Sequence, residues 1–163
     1  MERKAYKLFI EKNNGKTQIV IPEYPSGDID YYLFIKKNKE KGRIQIIVNS
    51  NIMIFLLNYY FNERGGDVYD LKLVEEDEEF SSKIERFLDL IRKEKDVFEL
   101  FIEHLQFLKS DNSIDIQEFS VRIPNDEGVT FIIIQSNGVI HIEGCSYMEE
   151  IENLQKVMGG LYG

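Results

Sequence analysis

Side chains that build disulfides and structural zinc sites are almost missing from this chain of 163 residues: it has one cysteine, Cys145, and two histidines, His104 and His141. One cysteine closes no internal disulfide, and one cysteine with two histidines falls short of the four ligands of a zinc-finger site within one chain. Proline is scarce, at 3 residues, and no stretch rich in Pro, Gly or Ser marks a linker. With 43% apolar and 30% charged residues, the composition is that of a folded chain rather than a disordered one. Long hydrophobic runs are absent as well. The longest, 52–61, is about ten residues and contains Asn58, whereas a spanning helix needs about 20, so no membrane passage is expected. The start, Met1-Glu2-Arg3-Lys4-Ala5, lacks the apolar stretch and small-residue cleavage site of a secretory signal, which makes the expected location cytoplasmic. No glycine-rich phosphate loop and no Gly-x-Ser-x-Gly occurs, and no cofactor is expected.

What the chain does have is acid. The net charge is −9, which on average repels a phosphate backbone. The charge is uneven, however: residues 1–66 carry 11 Lys and Arg against 7 Asp and Glu, and residues 67–163 carry 9 against 22. The basic residues concentrate at Lys36, Lys37, Lys39, Lys41 and Arg43, just after Tyr31, Tyr32 and Phe34.

Hydrophobic periodicity supplies the elements. Alternation at Tyr6, Leu8, Ile10, then Ile19, Ile21, then Leu33, Ile35, then Ile44, Ile46, Val48 predicts a meander of about four strands, with the basic residues on a hairpin over 36–43. The run 52–61 is apolar on every side and predicts a buried helix, with caps in Asn49-Ser50-Asn51 and a stop at Gly65-Gly66. A strand over 68–74, with Tyr69, Leu71 and Leu73 on one face, precedes Glu75-Glu76-Asp77-Glu78-Glu79 and a helix with Phe80, Ile84, Phe87, Leu88 and Ile91 on one face. The acid run belongs at that helix's N-terminus, where carboxylates favour the dipole by about 0.3 to 1 kcal/mol each. Asp96 with Glu99 reads as a capping box for a second helix over 97–108, and Ser110-Asp111-Asn112 as the turn that ends it. Three strands follow, over 116–123, 129–134 and 139–143, the middle one central in its sheet. A last helix has a capping box at Ser146 and Glu149, an apolar stripe of Met148, Ile151, Leu154, Val157 and Met158, and an end at Gly159-Gly160.

The fold class expected is therefore α+β, a mainly antiparallel sheet with helices packed on one face. Two related halves, 1–66 and 67–163, are suggested by the parallel between Gly42-Arg-Ile-Gln-Ile with Ser50 and Gly138-Val-Ile-His-Ile with Ser146. The order strand, helix, strand, strand, strand, helix in the second half, with Arg122 before a turn and the stretch Ser136-Asn137-Gly138-Val139-Ile140-His141-Ile142-Glu143-Gly144-Cys145-Ser146, resembles one repeat of the TATA-binding protein family, which has the same glycine spacing. That resemblance implies a curved sheet and, in the family, DNA bound in its minor groove and kinked by Phe wedges. The wedges do not carry over: Gln135 stands where one is expected and the other falls near Ile116. The helix over 97–108 and a shortened last helix are further departures.

Among single residues, His104 and His141 belong to no ligand or catalytic motif and read as ordinary polar positions. Cys145 is expected to be a buried structural cysteine. Asp70-Leu71-Lys72 has the Asp-x-Lys form of one class of metal-dependent nucleases, and reads more simply as a solvated strand face. Ile52, Phe55 and Tyr59 on the apolar helix are candidate interface positions, since that helix has more apolar surface than one core contact uses. The reading that results is a non-enzymatic binding module whose partner is another protein or a second copy. A nucleic-acid binder using the sheet face or Lys36, Lys37, Lys39, Lys41 and Arg43 is the alternative, and a metal-dependent hydrolase centred on Asp70 and Lys72 a second one.

Overall fold

The computed structural model describes residues 2–75, 77–111 and 114–162, so Glu76 of the acid run and Asn112 of the expected turn lie outside the described residues. The chain is α+β, and all its strand pairs are antiparallel. The elements run β1 (Arg3–Lys7), β2 (Phe9–Asn13), β3 (Lys16–Val20), α1 (Tyr31–Glu40), β4 (Arg43–Gln45) and α2 (Ser50–Asn58), which continues as a π-helical turn (Tyr59–Glu63). They go on with β5 (Asp67–Leu73), α3 (Glu78–Lys93), α4 (Val97–Ser110), β6 (Ile116–Asn125), β7 (Gly128–Gln135), β8 (Val139–Glu143) and α5 (Tyr147–Tyr162). A five-stranded sheet has the order β1-β8-β7-β6-β5, and a three-stranded one the order β3-β2-β4.

The first strand of the sequence pattern is thus shared between two sheets. Leu8 is the crossing point: its N–H donates to the Gly138 carbonyl (3.0 Å) and its carbonyl accepts from Ile46 N–H (3.1 Å). Beside it, Lys7 is fully buried, its ammonium donating to the Ile46 carbonyl (3.3 Å) and to the Asn137 carbonyl. Burial lowers the Lys7 pKa from 10.5 to about 8. Gly138 sits at φ +82°, and a side chain there would collide with the Ile46 carbonyl and Lys7 Nζ, so this junction requires glycine.

The large sheet buries one face. Phe119, Val121 and Ile123 of β6, Ile132 and Ile134 of β7, Ile140 and Ile142 of β8, and Val68 and Leu71 of β5 join Met53, Leu56 and Leu57 of α2, Phe101 and Leu105 of α4, and Ile151, Leu154 and Met158 of α5 in one connected core. The alternation that puts every second β7 residue inside is the period-two pattern of a sheet covered on one side. On α3, Ile84, Leu88 and Ile91 are the buried stripe, Asp77 caps the helix by accepting from Glu79 N–H (3.0 Å) and Phe80 N–H (3.3 Å), and Glu78 and Glu79 occupy its first turn. Asp77, Glu78 and Glu79 of the acid run thus stand at the helix N-terminus, as their position implied. Where the π-helical turn meets α5, buried Glu150 takes a two-pronged ion pair from Arg64 (Nη1 to Oε2, 3.0 Å).

Several expectations are corrected. Residues 31–40 form a helix, not a strand and hairpin: Asp30 accepts from Tyr32 N–H (3.1 Å) as N-cap, and Tyr31, Phe34, Ile35 and Asn38 make an inward face at helical spacing, leaving Leu33 44% exposed. Asp96 is itself in helical conformation and makes no side-chain capping bond, because a cap needs an extended backbone to turn its carboxylate onto the next turn. Ser146 is engaged sideways, its hydroxyl accepting from Asn125 Nδ2 (2.7 Å). The last helix runs through Gly159 and Gly160 to Tyr162. Cys145 is exposed rather than buried. Among the described residues no helix is long and apolar enough to cross a membrane.

Candidate functional site

The two edges of the large sheet differ. At the β1 edge the segment after β3 runs alongside, with Lys7 N–H donating to the Pro22 carbonyl (3.1 Å) and Tyr24 N–H to the Ala5 carbonyl (2.8 Å). At the β5 edge Arg92, at the end of α3, donates to the Tyr69 carbonyl (3.4 Å). The main-chain bonds at β1 block that edge to a further strand. The second face of the sheet carries the side chains described next.

Register places that face's side chains in rows. One row reads Asp67, Arg122, Phe131, Glu143, Arg3 across β5, β6, β7, β8 and β1. The next reads Asp70, Ser120, Ile133, His141, Ala5, and a third includes Lys72, Glu118 and Gln135 and ends in Val139 and Lys7, which are buried at the junction with the small sheet. The middle row is the least polar, with Ile133, His141 and Ala5 half-buried and Ser120 buried, and charged rows flank it on both sides. Arg3 lies 3.8 Å from Glu143. Arg122 is exposed and makes no ion pair within 4.0 Å among the described residues.

A β-bulge shapes one corner. The pairing with β6 slips between Val68 and Asp70, so Tyr69 is an extra residue with no partner opposite, and its ring is turned onto this face at 38% exposure. There it meets Phe131 edge-on, ring centres 6.0 Å apart and planes at 85°. Asp67, Tyr69, Arg92, Arg122 and Phe131 line a hollow of about 300 Å³. Arg92 is only part-committed, its Nη1 held by Asp89 (2.7 Å). Burial, reinforced by Arg3 and opposed by Glu118, holds the His141 pKa below the ordinary histidine value, so its imidazole is neutral at neutral pH.

The residues singled out from sequence do not gather at one place. Lys36, Lys37 and Lys39 stand exposed on α1, Lys41 follows it, and Arg43 is withdrawn from them, with Nη1 donating to buried Asn38 (2.8 Å) and Nε 3.5 Å from Glu11. Behind the lysines Phe34 packs on Tyr24 (4.9 Å) and Phe9 (6.0 Å), which fixes α1 to the small sheet. Ile52 and Tyr59 pack against the core and Phe55 is 40% exposed; Phe55 and Tyr59 line a separate hollow of about 320 Å³ with Asn58, Asn62, Glu63 and Val157. Asp70 and Lys72 do share the open face, opposite Ser120 and Glu118. Among the described residues no three His, Cys, Asp or Glu side chains group as a metal site. His104 Nε2 is buried without a hydrogen bond, beside the Phe87 ring (5.3 Å). The site of Tyr69, Phe131 and Arg92 was missed in the sequence: alternation groups Tyr69 with Leu71 and Leu73, which are buried, and the bulge between Val68 and Asp70 turns Tyr69 to the other face, a slip with no mark in the residue pattern. No protein-family model matches the chain, and no curated protein or solved structure does either.

Proposed function

We propose that this protein is a non-enzymatic binding module that takes a protein partner on the open face of its five-stranded sheet. The observation that carries the reading is the Tyr69–Phe131 ring pair, turned outward at a bulge between Arg92 and Arg122. Tyrosine and arginine are the residues on which protein interfaces concentrate their energy, and a less polar centre ringed by charges is the anatomy of such a surface. The charges on the face balance: Arg3, Arg92, Arg122 and Lys72 stand with Asp67, Asp70, Glu118 and Glu143. That balance favours a protein over a duplex, so the DNA binding implied by the TATA-binding-protein resemblance is the weaker use of this face.

The test is a photo-crosslinker, p-benzoylphenylalanine, placed at Phe131 in the expressing cell, with the same residue at exposed Leu90 on α3 as control. Protein adducts at 131 in excess of those at 90 support the reading; adducts to nucleic acid, or an equal yield at both positions, contradict it.

One observation favours a second reading. Lys36, Lys37, Lys39 and Lys41 are exposed with no ion pair among the described residues, and Tyr32, one turn before Lys36, is 80% exposed. A nucleic-acid strand tracking α1 would use them as phosphate contacts and a stacking ring. It requires that a labelled single-stranded probe bind with a steep salt dependence, and that the four Lys→Ala changes abolish the binding.

A further inference from the structure

We infer that the occupant of the open face is a second copy of this chain, seated about a two-fold axis that runs along β7. The inference rests on the reading of that face as a protein-binding surface and deepens it. It comes from the order of charges in the row Asp67, Arg122, Phe131, Glu143, Arg3, which reads acid, base, aromatic, acid, base.

A two-fold axis along the central strand lays this row on its own reverse. Asp67 then faces the partner's Arg3, Arg122 faces the partner's Glu143, and Phe131 meets its own symmetry mate. Every charge meets its opposite, and each such contact occurs twice, which is the condition of a closed isologous pair. In the next row Ile133 meets its mate, Ser120 faces the partner's His141, and Asp70 faces the partner's Ala5 at the rim, so no like charges are opposed. Sheets that pack face to face lie about 10 Å apart and nearly aligned, an arrangement in which rows at one height stay opposed. Within one copy, Arg122 has no ion pair among the described residues, so its guanidinium is free for a partner's carboxylate.

The footprint is small. Five strands at about 4.8 Å spacing and two to three rows about 7 Å apart cover on the order of 400 Å² a side, below the area of standard stable interfaces. The dimer is accordingly concentration-dependent rather than permanent.

Sedimentation equilibrium over a concentration series, from micromolar to several hundred micromolar, tests this with Arg122→Glu, Glu143→Arg, their equimolar mixture and the double variant. The wild type should pass from monomer towards dimer. Each single variant should dissociate at least tenfold more readily, because like charges then meet twice. The mixture should associate as the wild type does. In a mixed pair the carboxylate introduced at position 122 of one chain faces the guanidinium introduced at position 143 of the other, and the native pair forms at the second contact. The double variant, with both charges exchanged, should associate too. A wild type that stays monomeric throughout, or a mixture no better than the single variants, overturns the inference. Circular dichroism of each variant checks that the fold is intact. With the crosslinker at Phe131, self-adducts support the dimer, adducts to a different protein overturn it while leaving the face a protein-binding surface, and no protein adduct overturns both.

Discussion

Lys7 is a buried ammonium held by two backbone carbonyls, and no carboxylate neutralises it among the described residues. Its folded pKa of about 8 against 10.5 unfolded has a definite sign in stability. Between those values the unfolded chain binds the proton and the folded one does not, so stability rises with pH over that window and the cost is present in full below pH 8. The size is roughly 3 kcal/mol. Lys7→Met keeps the apolar stem and removes the charge. In urea titrations, wild type should gain on Lys7→Met by up to about 3 kcal/mol from about pH 7 to about pH 10.5; a difference independent of pH would contradict this account of the junction. The tie matters because Ile46 and Asn137 belong to segments beside different sheets, and Lys7 joins them where Gly138 leaves room.

Helices that look alike in sequence differ in how they start. Asp77 accepts from two backbone N–H groups and Asp96 from none. Asp77→Ala should therefore cost about 1 kcal/mol, and Asp96→Ala well under half of that, by thermal or urea denaturation. Equal losses would mean that the capping-box pattern, not the observed geometry, sets the stability of α4. The same comparison shows how far sequence reaches. The buried stripe of α3 was legible from its unbroken period, α2 from an apolar run too long for a strand, and the three C-terminal strands from short apolar runs bounded by turn residues. The helix at 31–40 was not, because Leu33 and Ile35 alternate as strand residues would and the decisive signal, Asp30 followed by Tyr31, Phe34 and Asn38, lies within a helix of only 10 residues. The π-helical turn after α2 and the continuation of α5 through Gly159 and Gly160 have no signal in the local pattern, where paired glycines read as a stop.

At the scale of the molecule, the open face depends on facts that no single segment contains. Tyr69 reaches it through a one-residue slip between β5 and β6, and Arg92 arrives from α3 to bond the Tyr69 carbonyl. The pairing of β1 with β8 brings Arg3 from the start of the chain to Glu143 near its end, and only this completes the charge order of the row. The outward positions of β6, β7 and β8 could be read from alternation; their neighbours across the sheet could not. The basic cluster, which stood out most in the sequence, lies on α1 with its one arginine turned inward, while the acidic second half supplies four strands of the contact face. Hydroxyl-radical footprinting of the intact protein, compared between dilute and concentrated samples, tests most directly whether this face is the contact surface. Oxidation of Tyr69 and Phe131 should fall severalfold on concentration while that of exposed Tyr32 and Phe107 stays unchanged; protection of Tyr32 or Phe107 with Tyr69 and Phe131 unaffected would place the contact elsewhere and contradict the account.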